Sequence, residues 1–430
     1  MPLRVRGQEF HLGDKAVRLR GVGLGNWLNL EHFMLGVPGT ETEIRTSFET
    51  AYGREQAERF WDRYFQVYTA EADLRFLHAL GLNSVRIPVN HRLLAAADGD
   101  FAAAPAVREM DRVVALAERL GLLAIIDLHS TPGGQNPDWH SDNATGEAGF
   151  WKDERHRNQV IELWQQLARH YRDCDTIAGY DLVNEPCFTD AASGSMLVDF
   201  CASCIATIRS VDPDHVIFIE GNAYARDFSM FERNLDDQIA YSFHYYPFLQ
   251  LGSELEHPEF ASKLRERLFA ETSLSHLADD LKRPIWCGET GHPWHLPGSH
   301  SALRAFLDLL EELGVSWALW PLKDARAMGL LSPPERSPWL RLVREATDHW
   351  CFWDEFSQDS IVAAEQEGDR VAYYRRLAEL SSAANARFRD GLATIPFDTM
   401  YAALDSFAFE ACESNPGLTD LVRQVCGART

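Results

Sequence analysis

Short apolar runs, each followed by a longer stretch with apolar positions at helical spacing, recur along most of this chain. The runs Arg18–Leu24, Ser84–Pro88, Leu122–Leu128, Ile177–Val183, Val216–Ile219, Ile239–Phe243, Pro284–Cys287 and Ser316–Leu319 include several that are near-continuously apolar, the pattern of parallel strands covered on both faces. Between them, Ala70–Leu80 carries apolar residues at helical spacing and stops at Gly81, a residue suited to a C-terminal cap. Glu109–Leu120 ends the same way at Gly121, Phe150–Tyr171 and Met196–Ser210 fill the next intervals, and Ser301–Leu313 stops at Gly314. Strands alternating with helices in this way predict an α/β fold, a single (β/α)8 TIM barrel, in preference to an open doubly wound sheet. Leu3–Val5 and the stretch near Phe10, with Gly13-Asp14 as turn chemistry, predict a small N-terminal hairpin across the barrel bottom. Residues 33–60 and 131–150 read as loops. From about residue 335 the pattern is helical to the end, with no Pro/Gly/Ser-rich linker. The expected division is a barrel over residues 1–345 and a helical extension packed on it over 346–430.

Composition narrows the classes of function. The net charge of −23, with no cluster of Lys and Arg, excludes a nucleic-acid partner, because phosphate backbones are held by grouped cations. A neutral partner such as a sugar fits that balance better than an anionic one. No apolar stretch approaches the roughly 18–20 residues needed to span a bilayer, so no membrane partner is expected. The eight cysteines are scattered and do not form a disulfide framework. Cys201 and Cys204 make a C-x-x-C inside a helix, but no second ligand pair sits at zinc-site spacing. With no apolar leader near residue 1, a cytoplasmic location is the expectation. GVGLGN at 21–26 runs into Trp27-Leu28-Asn29 instead of opening a helix, which argues against a dinucleotide site. No cofactor is expected.

The working residues of such a barrel project from the C-terminal ends of its strands. There the chain carries Arg86, then Asp127-Leu128-His129, Asn184-Glu185-Pro186, Glu220-Gly221-Asn222, His244-Tyr245-Tyr246, Gly288-Glu289 and Trp320. Carboxylates at the fourth and seventh strand ends face each other across the barrel mouth. One protonated and one ionised carboxyl is the pair that glycoside cleavage needs, about 5–5.5 Å apart for retention and about 6.5–9.5 Å apart for inversion. Glu185 is expected to be the acid/base and Glu289 the nucleophile. Arg86 and Tyr246 are expected to hold Glu289 ionised, Asn184 to meet the sugar 2-hydroxyl, and Trp320 to offer an apolar face to a pyranose ring. Glu220 has no slot in a two-carboxylate mechanism and reads as structural or supporting.

Taken in order, VRIP at 85–88, DLH at 127–129, NEP at 184–186, HYY at 244–246, GE at 288–289 and Trp320 resemble glycoside hydrolase family 5, over roughly residues 18–330. The resemblance implies a retaining barrel glycosidase with Glu185 and Glu289 as its pair, supported by Arg86, His129, Asn184, His244, Tyr246 and Trp320. RGVGLGNWLNLE at 20–31 and LHSTPGGQN followed by SDN at 141–143 are similar to the exo-β-1,3-glucanases of that family, which adds Glu31 as a sugar ligand. Asn26, Trp27 and Asn222 join it as candidates. Trp139, His140, Trp294 and His295 are loop residues placed to shape subsites. The expected activity is hydrolysis of β-linked glucosides or short β-glucans, with a β-mannoside as the alternative substrate. Two rivals use the same residues otherwise: a metal-dependent hydrolase ligated by His129, Glu185, His244 and Glu289, and a carbohydrate-binding barrel without catalysis.

Overall fold

The computed structural model describes residues 1–95, 99–188, 191–251, 260–293, 299–355, 358, 361 and 370–427. Eight parallel strands close into a barrel in chain order: β1 (Arg20–Gly23), β2 (Ser84–Asn90), β3 (Leu123–Ser130), β4 (Ile177–Asp181), β5 (Val216–Glu220), β6 (Ile239–His244), β7 (Ile285–Thr290) and β8 (Ser316–Leu319). Each lies within or against one of the apolar runs, and every residue of β2, β4, β5 and β6 is buried. Helices cover the outer face, which is why the strands read as continuous rather than alternating hydrophobics.

The predicted hairpin is a three-stranded antiparallel meander, Leu3–Arg6, Glu9–Leu12 and Lys15–Val17. Its Leu3, Val5 and Phe10 join Leu19, Ile125, Val216, Phe218 and Trp286 in one apolar cluster at the N-terminal ends of the strands. The barrel floor is therefore sealed, and its opposite end carries the polar strand termini.

The helices appear where their periodicity places them, as Glu71–Ala79, Pro105–Leu120, Glu154–Tyr171, Ala191–Arg209 and Ser299–Leu313. Residues 33–60 differ from the expectation. They hold the helix Glu41–Tyr52 and the start of Arg54–Tyr68, the first opened by a capping box between Thr40 and Glu43. Polar residues on the buried face of the first helix dilute its pattern: Glu41 accepts from Leu30 N at 2.9 Å, and Ser47 Oγ donates to Asn385 Oδ1 at 2.9 Å. The partner of Ser47 belongs to the C-terminal helix Arg370–Leu392, which lies along Glu41–Tyr52 and also donates from Asn385 Nδ2 to Pro38 O at 2.7 Å. Phe388, Met400 and Phe407 extend the main apolar core into this region.

One buried ion pair ties the end of β8 to the outer helices. Lys323 Nζ lies 2.8 Å from Asp73 Oδ1 and donates to Tyr68 O and Phe407 O, each at 2.8 Å, and both side chains are fully buried. Asp73→Ala strands an ammonium among these groups and is expected to cost about 3–5 kcal/mol. The check is the urea midpoint of the variant beside that of Asp73→Leu/Lys323→Met, which should recover most of the loss. A midpoint unchanged in Asp73→Ala would contradict this account.

Candidate active site

The strand register carries one cation into a ring of acids. Arg86 pairs with Gly23 on one side and Ile125 on the other, and Asp127, Asp181 and Glu220 follow on successive strands. The buried guanidinium lies 3.2 Å from Asp127, 3.1 Å from Asp181 and 3.0 Å from Glu220, and it donates to Asn184 Oδ1 at 2.8 Å. Its Nη1 donates to Glu289 Oε1. Burial pushes the Asp181 carboxyl well up, and the charge of Glu220 adds to this, while the Arg86 guanidinium opposes it.

Above this ring sit the two carboxylates. Glu185, His244 and Glu289 bring one ligand atom each within 4.8 Å of one another, the one metal-like group of His, Cys, Asp or Glu among the described residues. The oxygens a cation would need are already engaged. Glu289 Oε2 accepts from the Tyr246 hydroxyl at 2.8 Å while Arg86 holds Oε1, and Glu185 Oε1 lies 2.8 Å from His244 Nδ1. His244 turns its Nε2 to Glu220 Oε1 at 3.1 Å, and Glu220 Oε2 accepts from the Glu185 backbone N–H at 2.6 Å. Glu220 is therefore a brace for the pair. Gly288 allows this closeness, because a Cβ there would stand 2.5 Å from Ser242 Oγ and 2.9 Å from His244 Nε2. Glu185 itself sits at φ 49°, a left-handed conformation that an L-residue adopts at a cost and that aims its side chain across the mouth.

Burial raises the Glu289 carboxyl and the nearby charge of Glu185 adds to that, while His244 and Arg86 oppose it. For Glu185, burial pushes upward, and hydrogen bonds from His140 and His244, taken as imidazoliums, pull well below the ordinary carboxyl range. Hydrogen-bond geometry argues against a charged His140. Asn136 Oδ1 accepts from Asp138 N at 3.0 Å and its Nδ2 donates to Glu185 O at 3.0 Å, which fixes the amide orientation. The same Nδ2 meets His140 Nε2 at 2.8 Å, and an amide donor there requires an unprotonated ring nitrogen. With His140 neutral, its pull on Glu185 at 3.1 Å is gone and that of His244 at 2.8 Å remains. The two carboxyls share His244 and titrate as a unit.

A pocket of about 340 Å³ opens over the pair. Glu31 and His129 line it, with His129 Nε2 3.3 Å from Glu31 and Nδ1 2.6 Å from Asp127. Burial opposes charge on His129, yet these two carboxylates raise its pKa to about 10. Trp320 lines the pocket and stacks on His129 with ring centroids 5.2 Å apart. Asn184 is buried beside them.

Other sequence candidates land elsewhere. Asn222 does not line the pocket; its amide clamps the backbone of Phe188, accepting from N at 3.0 Å and donating to O at 3.2 Å. Trp27 is buried in the core and donates to Phe65 O at 2.9 Å. Asn26 Oδ1 accepts from Glu31 N at 3.0 Å and so sets that residue in place. A strand-end or motif position does not say which way a side chain turns. Trp139 and His140 do line the pocket, whereas Trp294 and His295 lie outside the described residues. Sequence reasoning missed Phe33, Asp138, Tyr224, Arg226, Phe248, Leu249, Met328, Phe352, Tyr373, Tyr374 and Leu377, which complete the wall. They come from segments past several strand ends and from the C-terminal region, where no motif directs attention.

Comparison with known proteins decides the family. Residues 38–326 match the family described as Cellulase (glycosyl hydrolase family 5). The chain belongs to glycoside hydrolase family 5. It is 33% identical over 347 residues to a "Beta-xylosidase" of Phanerodontia chrysosporium, spanning 76% of this chain and 72% of that protein. A "Probable glucan 1,3-beta-glucosidase A" of Emericella nidulans is 28% identical over 47% of this chain and 51% of its own length. The endoglucanase Cel5A of Thermotoga maritima shares the fold, with a TM-score of 0.53 at 21% identity, covering 73% of this chain and 91% of the other. As a family 5 enzyme the chain is a retaining glycoside hydrolase acting on carbohydrate. Among the described residues no helix is long and apolar enough to cross a membrane.

Proposed function

We propose that this family 5 enzyme hydrolyses β-linked glucosides or short β-glucans by double displacement, with Glu289 as nucleophile and Glu185 as acid/base. The observation that carries the assignment is the pair itself. Ligand oxygens of Glu185 and Glu289 lie within 4.8 Å of each other, near the separation of about 5–5.5 Å that suits retention and short of the about 6.5–9.5 Å of an inverting pair. Glu289, gripped by Arg86 and Tyr246, attacks the anomeric carbon as Glu185 passes its proton to the departing oxygen. The glycosyl–Glu289 ester is then opened by a water that Glu185 deprotonates. Glu31, His129 and Trp320 are assigned to the sugar ring. Asn184 is assigned to its 2-hydroxyl through Nδ2, since Oδ1 is occupied by Arg86. A β-xyloside is the second reading, supported by the 33% identical relative named for that sugar.

The test is a panel of aryl β-glucoside, β-xyloside and β-mannoside, followed by proton NMR from the first turnover. The β-anomer of the free sugar is expected to appear before mutarotation, with the glucoside turned over fastest. An α-anomer formed first would overturn the mechanism, and a mannoside preferred over both other sugars would overturn the substrate. The same reading includes the barrel through residue 345 with a packed extension from 346. It also includes a cytoplasmic location, supported by all eight cysteines being free thiols.

A further inference from the structure

The loop that follows β3 carries a buried amide that takes no part in the two displacement steps. Asn136 is fully buried there and does not line the pocket. Its backbone carbonyl accepts from Ser141 Oγ at 3.0 Å and from Asn143 Nδ2 at 2.8 Å. Gln135 beside it donates to His129 O at 2.7 Å and to Asn184 O at 2.9 Å, which ties the loop to the ends of β3 and β4. Gly134 permits this closure at φ 72°, where a Cβ would stand 2.6 Å from Asn143 Nδ2. The Asn136 side chain is thus held in one orientation. Asp138 N donates to its Oδ1 at 3.0 Å, so Nδ2 is the atom that meets Glu185 O at 3.0 Å and His140 Nε2 at 2.8 Å. Turning the amide over would set N–H against N–H and oxygen against oxygen.

His140 sits where it would otherwise take up a proton. Its ring faces Glu185 past β4, Asp138 in its own loop and Glu31 past β1; burial opposes charge on it, while these acids favour charge and raise its pKa. The Tyr224 and His129 rings each lie 6.2 Å away, and His32 is a third neighbour. Nε2 stands 3.1 Å from Glu185 Oε2, so a proton there would add a cation beside a carboxyl that already has His244 Nδ1 at 2.8 Å. The Asn136 N–H is a neutral donor, and it occupies the place a ring proton would take.

We propose that Asn136 is a positioning residue that holds His140 uncharged beside Glu185, leaving the draw on the acid's proton to His244. The inference rests on the reading of Glu185 as acid/base. A side chain that cannot donate at this place opens Nε2 to a proton, under the pull of Glu185, Asp138 and Glu31. An opposite charge within about 4–6 Å lowers a carboxyl pKa by about 1–3 units, so Glu185 should then lose its proton at lower pH.

The experiment reads His140 directly, by ring-nitrogen NMR of protein labelled in histidine, its signal identified by absence from His140→Phe. Near neutral pH, wild type is expected to show an uncharged ring, and Asn136→Leu and Asn136→Asp an imidazolium. Asn136→Asp keeps an acceptor for Asp138 N and serves where the leucine variant does not fold. The basic limb of kcat/KM for a β-linked disaccharide should move down by about one pH unit or more in Asn136→Leu, with the acidic limb unmoved. In a His140→Phe background the same substitution should move that limb no further, because the residue through which it acts is gone. A role in loop packing alone would lower kcat/KM at every pH in both backgrounds and move neither limb. That result, an imidazolium in wild type, or an uncharged ring in both variants overturns the proposal. A limb that stays while the ring charges overturns it too when Glu185→Ala has lost that limb; if Glu185→Ala keeps the limb, the acid assignment falls instead. Should wild type cleave no sugar, the hydrolytic reading falls, and the NMR signals still decide the state of His140.

Discussion

Glu289→Ala should be inactive on the aryl β-glucoside, with kcat reduced on the order of 10⁵-fold or more, while its thermal transition stays close to wild type. The size follows from the chemistry. Without the carboxylate no glycosyl ester forms, and water has no positioned base on that face of the sugar. The mild effect on folding follows from the ring below, where Arg86 keeps Asp127, Asp181 and Glu220 as partners after Glu289 is gone. Azide should restore turnover by occupying the vacated space, and its product should be the α-glycosyl azide, since the anion then makes a single displacement. A variant within tenfold of wild type would remove Glu289 from the mechanism. A β-glycosyl azide from this variant would exchange the roles of the two carboxylates.

The second large effect is expected at Glu185, and it should depend on the leaving group. With a poor leaving group such as a sugar, Glu185→Ala should lose about 10²–10⁴-fold in kcat/KM, the range for a positioned general acid. An activated aryl group needs little protonation, so its first step should survive and the glycosyl-enzyme should accumulate as a burst. Azide attacking that ester gives the β-glycosyl azide, the opposite anomer to the Glu289 case. The pH profile supplies an independent reading. The basic limb of kcat/KM in wild type reports loss of the proton from Glu185, and it should disappear in the variant. The acidic limb, set by protonation of Glu289, should remain. His140→Phe should move the basic limb without abolishing turnover, because it removes the ring nitrogen that lies 3.1 Å from the Glu185 carboxyl. Retention of the full bell in Glu185→Ala would place the acid elsewhere.

The outcome at each strand end separates what is local from what is not. Glu185, His244, Tyr246 and Glu289 were legible because a buried parallel strand announces itself as an apolar run, and the polar residues at its end have the barrel mouth as their outlet; Arg86 instead lies inside β2 and reaches Glu289 from within the barrel. Asn222 ends a strand in the same way, but its amide is taken by the backbone of Phe188, a partner that no spacing reveals. The helix Glu41–Tyr52 was hidden for a related reason. On its inner face Glu41 accepts from Leu30 N and Ser47 donates to Asn385, so the apolar stripe that marks a helix is thin. His140 was visible as a loop aromatic. Its orientation came from Asn136, whose amide is fixed in turn by Asp138 and Glu185.

Sequence alone determined the barrel, its closed floor and the identity of the two facing carboxylates, because periodicity and strand-end position are properties of short segments. Tertiary structure decided the separation of that pair, the ring of acids around Arg86 and the wall built by Asp138, Tyr224 and Tyr374. Those features join residues far apart in the chain. Closure of the barrel and docking of the C-terminal helix are what place their polar groups within hydrogen-bonding distance.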